Sequence, residues 1–165
     1  MTFDDADHLA RIFLDPVAMR HYPSLIDRPG TLSWIERTTT NYQKYGFGFW
    51  VVERAADGAF LGQCGLIPQT VHETVEPEVA YLFVREHWGN GYATEAARAC
   101  RDWGFTHLDV PRLISVISIH NAPSIRVAER NGMAPVDAIQ KPTGVPHRVY
   151  AISREEWLRR DERGA

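Results

Sequence analysis

Residues 81–95 read Tyr-Leu-Phe-Val-Arg-Glu-His-Trp-Gly-Asn-Gly-Tyr-Ala-Thr-Glu, and this stretch decides the fold. Its first residues finish a β-type run from Glu76 to Val84. From Asn90 the period becomes helical, with Ala93, Ala96, Ala97, Cys100 and Trp103 on one face of a segment reaching His107. Small alanines on that face let the helix lie close to a sheet. Between strand and helix, Gly89 and Gly91 allow a ligand to approach the main chain, and the unpaired N–H groups of the helix start face one point. Such an arrangement cradles phosphate; it equally serves a helix that only needs a tight turn. A dinucleotide fingerprint would require a third glycine where Thr94 stands, and Asp109, at about the right distance, precedes Pro111 in a loop. A nucleotide-triphosphate loop would require Gly-Lys-Ser/Thr, which is absent.

Upstream, Phe47–Arg54 and Phe60–Ile67 are β-rich and joined through Asp57-Gly58, which predicts a tight antiparallel hairpin. Leu9, Ile12 and Phe13 give Asp5–Leu14 a helical spacing, and Asp15-Pro16 reads as an N-cap with proline at the first position of a second short helix. After Arg28-Pro29-Gly30 a third helix is expected, with Leu32, Ile35 and Tyr42 on one face and Ser33-x-x-Glu36 as a capping box. Downstream, Leu113–Ile119 is an apolar strand. Ala122–Asn131 is a helix closed by Gly132, His147–Ile152 is a last strand, and Ser153-x-x-Glu156 opens a C-terminal helix. Helices, a β-meander and then alternating strands and helices predict a mixed α/β sheet in one domain spanning 1–165.

The chain of 165 residues carries 18 Lys and Arg against 21 Asp and Glu, a net charge of −3, with 44% hydrophobic residues. This composition excludes disorder as the main state and offers neither the basic field of a nucleic-acid binder nor an apolar run long enough for a membrane. An acidic N-terminus in place of a secretory leader points to the cytoplasm. Cys64 and Cys100 lie far apart in apolar surroundings and read as reduced packing cysteines. The seven histidines show no metal-ligand spacing, so no metal is expected.

Trp88-Gly-Asn-Gly-Tyr-Ala-Thr-Glu-Ala96, followed by His120-Asn-Ala-Pro-Ser-Ile-Arg-Val-Ala-Glu-Arg-Asn-Gly-Met133, resembles the GNAT superfamily of N-acetyltransferases, in particular the branch of ribosomal-protein N-terminal alanine acetyltransferases. The resemblance extends to Asp15-Pro16-Val17 and to the hairpin before the binding strand. It implies an α/β fold of α+β type: a mixed, mostly antiparallel sheet with splayed central strands, flanked by helices. It also implies acetyl-CoA as co-substrate. Leu82, Phe83 and Val84 would offer strand edges to the pantetheine arm, and the main chain of Trp88, Gly89, Asn90, Gly91, Tyr92, Ala93 and Thr94 would hold the pyrophosphate. Asn121 would bond near the pantetheine or fix its loop, and Ser124 would lie near the thioester sulfur. After the last apolar helix, the family pattern continues through Gly132 into a further strand. It normally begins with a strand ahead of the first helix, which this chain lacks, so the sheet is short of an edge strand or a partner supplies it.

Acetyl transfer needs a neutral amine, a stabilised oxyanion and a leaving thiol. The N–H of Val84 is the expected oxyanion donor. An α-amine is about a tenth neutral at pH 7 and a lysine about 0.04%, so a base matters most for lysine-like acceptors. Glu78, on one face with Ala80 and Leu82, is the candidate base or else a solvated strand carboxylate; His72 and His120 are alternatives. Ser124 is either the proton donor to the thiolate or a helix cap. Arg126 and Arg130 could reach the ribose phosphate, any of the five tryptophans could line an acceptor pocket, and Tyr22–Gly30 with Gln69–Pro77 would shape it. The expected acceptor is a peptide N-terminus or a small-molecule amine, with the protein a monomer or homodimer. A domain of the same shape that binds acyl-CoA as a sensor or docking unit without turnover is the alternative.

Overall fold

The computed structural model describes residues 1–141 and 144–164; of the expected 1–165 span, positions 142, 143 and 165 lie outside it. A 3-10 turn at Phe3–Asp5 leads into α1 (Ala6–Phe13) and α2 (Arg28–Tyr45). The chain continues through β1 (Phe49–Glu53), β2 (Phe60–Val71) and β3 (Thr74–Phe83). A 3-10 turn at Arg85–His87 precedes α3 (Tyr92–His107), followed by β4 (Arg112–Ser118), α4 (Ala122–Arg130), β5 (Ala134–Gln140), β6 (Pro146–Ser153) and α5 (Arg154–Gly164). The six strands form one sheet in the order β1-β2-β3-β4-β6-β5, and only β3 and β4 run parallel.

Strand alternation gives the sheet two faces. On one, Cys64, Leu66, Val79, Leu113 and Ile152 pack with Ala97 and Cys100 of α3. Gly104 lets α3 settle there, because a Cβ at this position would stand 2.9 Å from Leu66 and 3.0 Å from Leu113. Cys64 and Cys100 meet in this layer as free buried thiols, their sulfurs 3.5 Å apart. On the other face Leu9, Ile12, Phe13 and Ile35 of the first two helices cover Phe60 and Leu82. Further along it, Ile114, Val116, Val149 and Ala151 pack with Val71.

Three local expectations change. The second short helix is a single capped turn: Asp15 Oδ1 accepts from Val17 N–H at 2.8 Å, and the chain then returns so that Ile26 N–H bonds Phe13 C=O. Arg28-Pro29-Gly30 is the first turn of α2, not a break before it, since Asp27 caps the Gly30 N–H and proline suits a position whose N–H needs no partner. Ser33 and Glu36 therefore lie inside the helix. The β1–β2 connection is wider than a two-residue turn, with Arg54 N–H donating to Ala59 C=O and Gly58 supplying the positive φ of 70°. Gln69–Pro77, expected to shape the acceptor side, is the distal end of the long β2–β3 hairpin. Pro68 pairs with Pro77 in its register, and these prolines mask the strand signal. No strand precedes α1 among the described residues, and β1 forms that edge of the sheet.

Candidate active site

Parallel strands β3 and β4 are joined by main-chain pairing only at Glu78 and Ile114, and beyond that point they diverge. Side chains continue the ladder where the main chains no longer reach. Glu78 Oε1 accepts from Val116 N–H at 2.7 Å, and Ser115 Oγ donates to Val79 C=O at 2.7 Å. Farther along, Tyr81 Oη donates to the Ser124 carbonyl at 3.0 Å, tying β3 to the start of α4. Trp88 Nε1 closes the series on Phe83 C=O at 2.9 Å. The gap opens into a cleft of about 950 Å³ that reaches both sheet faces.

At one end of the cleft lies the glycine turn. Gly89 and Gly91 have φ of 83° and 86°, a conformation that residues with a Cβ reach only at a cost, and Gly91 is the N-cap of α3. Trp88 N–H is bonded to Arg85 C=O, and Thr94 N–H to Gly91 C=O. The N–H groups of Gly89 through Ala93 carry no hydrogen-bond partner among the described residues, so the donor set is narrower than the expected Trp88–Thr94. The Asn90 side chain braces the turn from within, donating to His87 and Trp88 carbonyls.

Leu82 and Phe83 line the cleft, as do Trp88, Gly89, Gly91, Tyr92, Ala93, Thr94, Asn121 and Ser124, with Glu78 deeper in. Val84 does not: its side chain belongs to the N-terminal core and its N–H donates to Leu61 C=O at 2.9 Å. In an antiparallel ladder neighbouring residues face opposite ways, so Leu82 also turns its main chain to β2. The groups presented to the cleft are those of Tyr81 and the N–H of Phe83, whose carbonyl is held by Trp88. The Val84 N–H, expected to face an oxyanion, is thus spent within the sheet. Asn121 Oδ1, not Ser124, caps α4, accepting the Ser124 N–H at 3.3 Å, and the Ser124 hydroxyl has no protein partner among the described residues. Trp34 and Trp88 line the cleft, whereas Trp50, Trp103 and Trp157 pack around the core. His72 sits at the hairpin tip against Asp137, 2.8 Å away and outside the cleft; His120 is on the cleft wall.

Glu78 is buried, and burial lifts its carboxyl to about 7; the Val116 N–H and the nearby Lys141 charge pull the other way. Val116, Ser118 and His147 share its face of the sheet, with His147 opposite Ser118 in the β4–β6 register. His147 Nδ1 bonds the Val145 carbonyl at 2.8 Å, and burial lowers the imidazole below its ordinary value. Over them comes the α1–α2 connection, bringing His21 and Tyr22 to the cleft. Tyr22 opens one of the two segments expected to shape the acceptor side and does line the cleft; the sequence gives no such role to the Tyr81 side chain, Ser115, Lys141 or His147. Among the described residues no cluster of His, Cys, Asp and Glu is placed to hold a metal ion, and no helix is long and apolar enough to cross a membrane.

A splayed parallel pair with a glycine turn and unpaired N–H groups at one end has a counterpart among known proteins: residues 1–134 match the family model for the acetyltransferase (GNAT) domain. The chain belongs to the GNAT acetyltransferase family. An uncharacterized protein of Bacillus subtilis (strain 168), YkkB, is 41% identical over 138 residues, covering 84% of this chain and 80% of that protein. In fold, this GNAT chain is similar to the aminoglycoside acetyltransferase AAC(6')-Ib solved with coenzyme A. The TM-score is 0.81 at 15% identity, over 96% of this chain and 95% of that one. It is similar also to the ribosomal-protein-S5-alanine acetyltransferase of Vibrio fischeri, with a TM-score of 0.72 at 16% identity over 95% and 92% of the two chains.

Proposed function

We propose that this acetyltransferase moves the acetyl group of acetyl-CoA to a primary amine by direct attack in a ternary complex, with one domain over 1–165 carrying both halves of the site. The observation that carries the reading is the run of five unpartnered N–H groups from Gly89 to Ala93, set at the start of α3 and opening into the cleft between β3 and β4. Convergent N–H groups at a positive helix end suit a pyrophosphate. The Tyr81 main chain suits the amides of a pantetheine arm, and Phe83 N–H, facing opposite to Val84, is the oxyanion donor in place of Val84.

Acetyl-CoA supplies an activated acyl carbon and a thiol leaving group. Glu78 takes the proton that the amine sheds as its nitrogen bonds the acyl carbon; a carboxyl lifted to about 7 is half in its basic form at neutral pH and still a useful base. The Ser124 hydroxyl, at the mouth of α4, donates toward the sulfur as the carbon–sulfur bond breaks and recovers its proton from solvent. The test is thiol release from acetyl-CoA over a panel of peptide N-termini, polyamines, aminoglycosides and amino acids. Release that requires an amine supports transfer; acetyl-CoA binding with no release under any amine leaves a binding module.

A further inference from the structure

The cleft as a whole is lined by more cations than carboxylates, and one of those cations stands at the acceptor end, where acetyl transfer does not require it. Among the described residues lining the cleft, Glu78 is the one carboxylate, against Arg20, Arg126, Arg130 and Lys141, although the chain as a whole is acidic. Arg126 and Arg130 project from α4, which packs beside α3 and its glycine turn, so they belong to the cofactor end. Arg20 lies over the Trp88 ring, 6.0 Å from its centroid, and donates to His21 Nε2 at 3.2 Å. Lys141, just after β5, is the cation of the acceptor end. It is close enough to Glu78 and His147 to act on both through its charge, and no carboxylate pairs with it among the described residues.

The same space offers acceptors for an amine. With Nδ1–H committed to the Val145 carbonyl, a neutral His147 keeps its Nε2 lone pair, on the sheet face it shares with Glu78. One wall thus accepts from a nitrogen while the rim holds an unpaired positive charge. A polyamine or aminoglycoside would press a further ammonium group against Lys141. A molecule carrying an amine and an anion satisfies both sides at once.

We infer that the acetyl acceptor is a small zwitterion, a primary amine bearing a carboxylate, with Lys141 facing the carboxylate while Glu78 and His147 face the amine. The inference rests on the acetyltransferase reading and narrows it. It is tested with matched sets of acceptors at several chain lengths: the amino acid, its neutral amide and the diamine, each assayed by thiol release from acetyl-CoA. Expected is kcat/KM in the order acid, amide, diamine, with the acid about tenfold above the amide, as one charge-assisted contact gives. Lys141→Glu should turn the order round in favour of the diamine. Diamines used as well as or better than the acids by the wild type, or an unchanged order in Lys141→Glu, overturn the zwitterion while leaving acetyl transfer standing. Absence of thiol release with every amine overturns both.

Discussion

Glu78 owes its chemistry to burial: alternation along β3 aims it at the acceptor face, and the neighbours that remove its water come from β4 and from the α1–α2 connection. Glu78→Gln should lower turnover, about 10²-fold for a lysine-like amine and less for an α-amine that is already partly neutral. The wild-type kcat should rise through an apparent pKa near 7 that the variant lacks; identical pH–rate profiles would remove Glu78 as the base. Stability gives a second readout. The folded carboxyl keeps its proton to about 7 and the unfolded one releases it near 4.5, so the native state is favoured most below that lower value. Its contribution fades as pH rises between the two. Over that window wild type should lose up to about 3 kcal/mol relative to Glu78→Gln in denaturant titrations, and parallel curves would mean the carboxyl does not titrate there. Ser124→Ala should cut kcat about tenfold with little change in Tm, because Asn121 supplies the cap. A loss of stability with full turnover would return Ser124 to a structural role. Both residues were visible as candidates in the sequence. The sequence did not show that one was sealed in a cleft and that the other was not a cap.

The strand, turn and helix from Tyr81 to His107 act as one element, and each part of it is locally determined: apolar alternation, two glycines at positive φ, then a 3.6-residue period. Gly91→Val places a β-branched side chain at a φ of 86°, which costs about 1–2 kcal/mol in the turn itself, so the N–H groups should lose their common aim. Calorimetry should find acetyl-CoA affinity reduced at least about 10²-fold while far-UV circular dichroism still reports a folded chain; wild-type affinity would separate the turn from the cofactor. Tyr81→Phe removes the bond from β3 to the Ser124 carbonyl and should cost about 1 kcal/mol in unfolding experiments. Elements whose signals are not local were read less well. The turn at Asp15 has the residues of a helix start without a helix behind it, and β5, exposed along nearly all its length, has no buried alternation to betray it.

At the scale of the molecule, the cleft exists because a sheet that is otherwise antiparallel contains one parallel pair, β3 and β4, connected through α3 and free to open at one end. A ligand seated between them should hold the two halves of the sheet together. At acetyl-CoA concentrations 100 times its Kd the gain is about 2.7 kcal/mol by mass action, or roughly 5–10 °C in Tm for a chain of this size; an unmoved melting curve would argue against binding. Hydrophobic period, capping residues and glycine positions determined from the sequence alone most of the elements, the strand–turn–helix at the cofactor end and the family resemblance. These are short-range properties, set by residues within a turn or two of one another. Tertiary structure decided which main-chain groups remain unpaired, with Val84 spent on Leu61 and the Phe83 N–H left facing the cleft. It also decided that Tyr22, Lys141 and His147 would gather around Glu78. Pairing and burial depend on what lies across the sheet, and those partners come from segments tens of residues away that no local pattern specifies.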